Sequence, residues 1–114
     1  MDISELDDRV VRVTFKGRLD TQGVGDVESR FLASLVEGTA HAIVNLSDVE
    51  FVASMGIRML VSAAQRLRKR QAALALYGAP ERVNQVFGVV SLQKIIPVCG
   101  TEAEALAAVT RSPA

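Results

Sequence analysis

The chain has no tryptophan, one tyrosine, one histidine and one cysteine. A single cysteine, Cys99, cannot close an internal disulfide, so a reducing compartment is the expectation. A single histidine, His41, leaves no His/Cys/acidic cluster at metal-ligand spacing, and neither a metal nor a cofactor is expected. His41 reads as a surface residue at a strand start, and Cys99 as a small buried residue following a strand. Charge of either sign is not in excess, because 13 Lys and Arg face 13 Asp and Glu. That balance gives no electrostatic footprint for nucleic acid or for an anionic membrane. No apolar run is long enough to span a bilayer. The start Met1-Asp2-Ile3-Ser4-Glu5 is acidic where a secretory signal would be basic. A soluble cytoplasmic protein without membrane insertion is the expectation. Catalytic motifs are missing as well. Gly23-Val24-Gly25 lacks the lysine and the spacing of a phosphate loop, no Gly-x-Ser-x-Gly occurs, and Asp7-Asp8 reads as a turn. An enzyme is not expected and no catalytic residue is assigned.

What the chain does have is apolar periodicity. With 49% hydrophobic residues in 114, it can build one compact domain over 1–114. Ile3 to Leu6 suits a short strand, hairpinned through Asp7-Asp8 to Val10–Lys16, where Val11, Val13 and Phe15 alternate with Arg12, Thr14 and Lys16. Gly17-Arg18-Leu19-Asp20 ends that strand. Val24, Val27, Phe31 and Leu35 recur at helical spacing, predicting a helix from about Val24 to Val36 with Gly23 as N-cap and Gly38 just past its end. Ala42-Ile43-Val44-Asn45-Leu46 suits a central strand covered on both faces.

A second helix is predicted from Ser54 to about Arg70. Its core stripe is Ile57, Leu60, Val61, Ala64 and Leu67, which puts Met55, Met59, Ser62 and Arg66 on the outward face. Methionine is adaptable and common at binding surfaces, so Met55 and Met59 read as part of a contact surface. On that placement Met59→Glu should weaken binding without unfolding the chain, whereas Ile57→Glu should destabilise it. Arg66-Leu67-Arg68-Lys69-Arg70 reads as a solvated helix end that suits the dipole. Ala73–Tyr77 is a further buried strand closed by Gly78. Pro80 suits the first position of a helix carrying Val83, Val86, Phe87 and Val90. Ile95-Ile96-Pro97-Val98 reads as a last short strand, and Thr101 with Glu104 forms a capping box for a helix through Leu106 and Val109. Arg111-Ser112-Pro113-Ala114 reads as a frayed tail. The order β-β-α-β-α-β-α-β-α predicts an α/β fold. Its mixed sheet has four to five strands, one starting hairpin and parallel crossovers, with helices packed largely on one side.

The stretch Asn45-Leu46-Ser47-Asp48-Val49-Glu50-Phe51-Val52-Ala53-Ser54-Met55-Gly56-Ile57-Arg58 reads as a strand end, a short loop and a helix start. Ser54 is placed as the helix N-cap with an accessible hydroxyl. The partial positive charge of a helix N-terminus would also tolerate a phosphoryl group there. This stretch resembles the signature of the STAS domain, shared by sulphate transporters and anti-sigma factor antagonists: roughly Asp-Leu-Ser-x-Val-x-Phe-hydrophobic-Asp-Ser-Ser/Thr-Gly-Leu-Gly. Gly17-Arg18-Leu19-Asp20 is similar to the Gly-Glu-Leu-Asp that follows the second strand in many such domains. Asp20 is the matching aspartate, which the resemblance places near the start of the Ser54 helix. Two positions depart from the signature: Ala53 replaces the aspartate before the serine, and Met55 the hydroxyl residue after it.

The resemblance implies a regulatory module that binds an anti-sigma factor of the serine kinase ATPase type. Ser54 falls on the serine whose phosphorylation ends that binding. It implies a partner-binding set of Asp20, Ala53, Ser54, Met55, Gly56, Arg58 and Met59, with a homodimer left open. The alternative is a STAS scaffold without phosphorylation, or a small subunit of a lipid or solute transport assembly. Ala53 and Met55 favour the alternative; the intact Ser54 and the stand-alone length favour the switch.

Overall fold

In the computed structural model, which describes residues 1–6, 9–35 and 40–110, Asp2–Glu5 (β1) pairs antiparallel with Val10–Leu19 (β2). The expected turn at Asp7-Asp8, the helix end at Val36 with Gly38 beyond it, and the tail 111–114 lie outside the described residues. Thr21–Ser34 (α1) follows, then the long strand His41–Val52 (β3) and Ser54–Lys69 (α2). Leu74–Tyr77 (β4), Glu81–Val89 (α3), a single 3₁₀ turn at Leu92–Lys94, Val98–Cys99 (β5) and Glu102–Thr110 (α4) complete the order. The sheet runs β1-β2-β3-β4-β5, parallel at every pairing after the hairpin. This is the expected α/β arrangement.

The two faces of the sheet are covered unequally. Val13, Phe15, Val44, Leu46 and Leu76 point to one face, where α1, α2 and α3 bury Phe31, Leu60, Leu67 and Phe87 against them. Phe15 and Phe31 meet edge to face with centroids 5.0 Å apart, a favoured aromatic geometry. Val10, Ile43, Ala75 and Tyr77 point to the other face, which α4 closes with Ala105 and Val109. Cys99 packs partly buried at that second cluster. His41 begins β3 as expected, and its Nδ1 accepts from the Ala73 amide at 3.0 Å.

Several boundaries move, each for a local reason. β3 runs on through Val52, not stopping at Leu46, because Lys16, Gly17, Arg18 and Leu19 pair with Asp48, Val49, Phe51 and Val52. Val49 and Val52 are buried there, so tertiary pairing overrides the poor strand propensity of Asp48 and Glu50. Asp20, not Gly23, is the N-cap of α1: its Oδ1 accepts from the Gly23 amide at 3.0 Å. Pro80 is the N-cap of α3, one position earlier than expected. Residues 95–97 are not strand; the 3₁₀ turn delivers the chain to β5 at Val98. The Thr101–Glu104 capping box is present, with the Glu104 amide donating to Thr101 Oγ1 at 3.2 Å.

α4 is held by a polar contact that the sequence did not reveal. Arg12 Nη1 and the Tyr77 hydroxyl both donate to Oε1 of Glu102, at 2.7 and 2.9 Å. Arg12, then Tyr77, hold the Glu102 carboxyl below its ordinary pKa. Burial, then the hydrogen bond to Glu102, push the Tyr77 phenol up to about 12. A phenol that keeps its proton more tightly when folded contributes stability below its unfolded pKa of about 10 and loses it as pH rises toward the folded value. The wild-type chain is therefore expected to weaken between about pH 10 and 12, a slope missing from Tyr77→Phe. That variant should itself cost about 1 kcal/mol near neutral pH. Urea titrations across this range test it. Phenolate absorbance reports the group directly, since Tyr77 is the only tyrosine; ionisation near pH 10 would show that the contact is not formed.

Candidate functional site

The carboxyl ends of β2 and β3 come together and define one corner of the molecule. Leu19 pairs with Val52, and the Ala53 amide donates to the Leu19 carbonyl at 3.0 Å. This bond places the Leu19-Asp20 turn against the Ala53-Ser54 turn, as expected for Asp20. Gly56 lets the two approach closely. A Cβ on it would lie 2.8 Å from the Leu19 carbonyl oxygen and 3.0 Å from Val52 Cγ1. Gly56 is thus buried at the seam, a spacer beneath the surface.

Ser54 is exposed at the first helical position of α2. It does not cap the helix, contrary to the sequence expectation. Ala53 occupies the N-cap position with extended backbone, φ −93° and ψ 174°, and no side chain caps the helix. An aspartate at 53 could accept from the first-turn amides; the alanine leaves that end of α2 open to an anion from elsewhere.

Asp20 is tied down. One carboxylate oxygen takes the Gly23 amide and the other takes Arg18 Nε at 3.1 Å. The Gly23 bond first, and Arg18 second, hold its carboxyl below the usual range. Arg18 also lies across the Phe51 ring, its guanidinium carbon 4.5 Å from the centroid, a contact worth about 0.5–1 kcal/mol at an exposed site. Phe51 is 38% and Met55 39% exposed, one on each side of Ser54 in the chain. Arg58 is exposed on the following turn of α2.

Met59 is the correction. It is fully buried, so it cannot belong to a contact surface. The buried arc of α2 runs through Gly56, Met59, Leu60, Ala63, Ala64 and Leu67, while Ile57 and Val61 are only partly covered. Gly56 and Ala63 carry little hydrophobic signal, yet both are buried on the packed side of α2. The structure thus gathers Asp20, Ala53, Ser54, Met55 and Gly56 in one corner, keeps Arg58 on the surface nearby, and removes Met59 to the core. Arg18 and Phe51 join the corner unforeseen. The available signal was their pairing across two adjacent parallel strands, which needs the strand register to be seen.

Among the described residues no helix is long and apolar enough to cross a membrane. The Staphylococcus epidermidis anti-sigma-B factor antagonist is 30% identical over 98 residues, covering 85% of this chain and 91% of that protein. A putative anti-sigma factor antagonist from Thermotoga maritima superposes with TM-score 0.86 at 23% identity, covering 96% of this chain and 94% of that one. The anti-sigma factor antagonist SpoIIAA matches in its unphosphorylated form with TM-score 0.79 at 19% identity, over 99% and 98% of the two chains. The Bacillus protein in its phosphorylated form matches with TM-score 0.70 at 18% identity, over 94% and 96%. The STAS domain model matches residues 3–105, and with the β1–β5 sheet and the β3–α2 corner in place, the chain belongs to the STAS domain family.

Proposed function

We propose that this chain is an anti-sigma factor antagonist. On this reading it acts in the cytoplasm, binds an anti-sigma factor of the serine kinase ATPase type, and is released when Ser54 is phosphorylated. The observation that carries the reading is an exposed serine at the first position of α2, flanked by the exposed apolar side chains of Phe51 and Met55. The names of the relatives support the same class of partner. The physical logic is local. An apolar surface favours docking of an uncharged serine, because both faces lose water together. A phosphoryl group adds about −1.5 to −2 charges in the middle of that surface and must be desolvated if the partner stays bound. The uncapped start of α2 can hold the modified side chain without loss of the fold.

Ser54→Asp is expected to weaken binding by about tenfold or more, or ~1.4 kcal/mol. Aspartate carries less charge than phosphoserine, so the modified protein should be weaker still. Ser54→Ala should bind like the wild type and persist when ATP is added. The check is calorimetric titration with each purified anti-sigma kinase of the source organism, followed by mass spectrometry of the ATP-treated mixture. No phosphate on Ser54, together with unchanged binding by Ser54→Asp, would discard the switch and leave a scaffold role.

A further inference from the structure

We propose that Arg18 selects the partner: its guanidinium, held over the Phe51 ring at the carboxyl ends of β2 and β3, takes a carboxylate of the docking protein. This rests on the antagonist reading above and names the chemistry that the partner must present.

The backbone aims Arg18 deliberately. The β2–β3 register shifts between Gly17 and Arg18, and Gly17 takes φ +81°, which only glycine adopts without strain. Such irregularities re-aim a side chain at the end of a strand. Here the register sets Arg18 opposite Phe51, and the guanidinium carbon lies 4.5 Å from the ring centroid. Asp20 then fixes the side chain through Nε alone. Among the described residues nothing bonds the two terminal nitrogens, and the side chain is 60% exposed. A guanidinium that keeps both terminal NH2 groups available matches the two oxygens of a carboxylate. Its ordering cost is already met by the ring and by Asp20, which favours affinity.

The surroundings decide the sign. Asp20 spends both oxygens within the chain, on Gly23 and on Arg18. Arg58 adds a second exposed cation on α2. The acids of β3, Asp48 and Glu50, line a groove with Pro80 and Arg82 at the start of α3, and Asp48 has Lys16 of β2 opposite it in the register. Phe51 supplies apolar area beside the cation, the aromatic-plus-arginine composition of energetically dominant interface positions, and Met55 adds exposed apolar area at the start of α2. The complementary surface is a protein presenting Asp or Glu next to an apolar side chain.

The test titrates each purified anti-sigma kinase of the source organism into wild type, Arg18→Lys, Arg18→Glu and Ser54→Asp. Arg18→Glu should raise Kd about 30-fold or more, and Arg18→Lys should fall between, since it keeps the charge and loses the fork. Thermal midpoints should fall by no more than a few degrees, because only the exposed contacts with Phe51 and Asp20 are lost. Changing one acid of the kinase to arginine should restore binding to Arg18→Glu, a rescue that a merely structural role would not produce. A wild-type Kd in Arg18→Glu, or no restoring acid among those of the kinase surface, overturns the proposal while leaving the antagonist reading intact. Failure of every kinase to bind the wild type overturns both.

Discussion

Gly23→Ala is expected to lose a large part of the folding stability, although it exchanges one small residue for another. Gly23 sits in the first turn of α1, with its amide bonded to the Asp20 side chain at 3.0 Å. A Cβ there would penetrate the carbonyl oxygen of Arg18 and lie 3.1 Å from the carbonyl carbon. The obstacle is backbone, so no rotamer change relieves it. Either α1 swings away from the end of β2, breaking the Asp20 cap, or β2 releases its pairing with Phe51 and Val52. Overpacking costs about 1–3 kcal/mol, with a backbone obstacle at the upper end, and loss of the cap adds about 1 kcal/mol. Against a total stability of roughly 5–15 kcal/mol, that is a large fraction. Gly25→Ala in the same helix meets nothing within 4 Å and should stabilise by up to about 1 kcal/mol through helix propensity. Two Gly→Ala changes two positions apart should thus move the urea midpoint in opposite directions. Equal midpoints for Gly23→Ala and wild type would mean that β2 and α1 do not meet as described.

The same corner separates what was legible in the sequence from what was not. Alternation in Val11, Val13 and Phe15, and helical spacing in Val24, Phe31 and Leu35, identify β2 and α1 because burial on one face imposes a period. The signature around Ser54 locates the strand-to-helix turn. Periodicity is silent where a neighbour decides. β3 extends through Asp48 and Glu50 only because β2 pairs alongside, and no local property of those two residues says so. The cap of α1 moved from Gly23 to Asp20 because a carboxylate outcompetes a residue with no acceptor. The Arg12–Glu102–Tyr77 contact joins positions 90 residues apart, which no windowed pattern reaches. Alanine and glycine are nearly invisible to a hydrophobic count, so Gly56 and Ala63 failed to show which way α2 faces.

That last failure reverses an expected result. Met59→Glu, on the outward face in a helical projection, should have been a mild probe of binding. With Met59 fully buried among the α2 core positions, it becomes one of the most damaging changes available. A carboxylate there has no described cation to pair with and must shed its water. Burial of an unpaired charge belongs to the few mechanisms that exceed about 4 kcal/mol. Loss of the methionine packing adds to this. The introduced acid would escape part of the cost by keeping its proton, since burial raises a carboxyl pKa. Its folded pKa would then lie above its unfolded value, so the defect should shrink as pH falls toward about 4 and be complete at neutral pH. Met59→Leu conserves volume and should cost less than about 1.5 kcal/mol. Met55→Glu, at a 39% exposed position, should leave the urea midpoint near wild type and weaken partner binding alone. Denaturation curves for the three variants at two pH values decide the matter. A folded, wild-type-like Met59→Glu would return that side chain to the surface and restore it to the binding set. The expected loss of folding instead means that its failure to bind carries no information about the interface, and that Met55 and Phe51 are the positions at which to probe it.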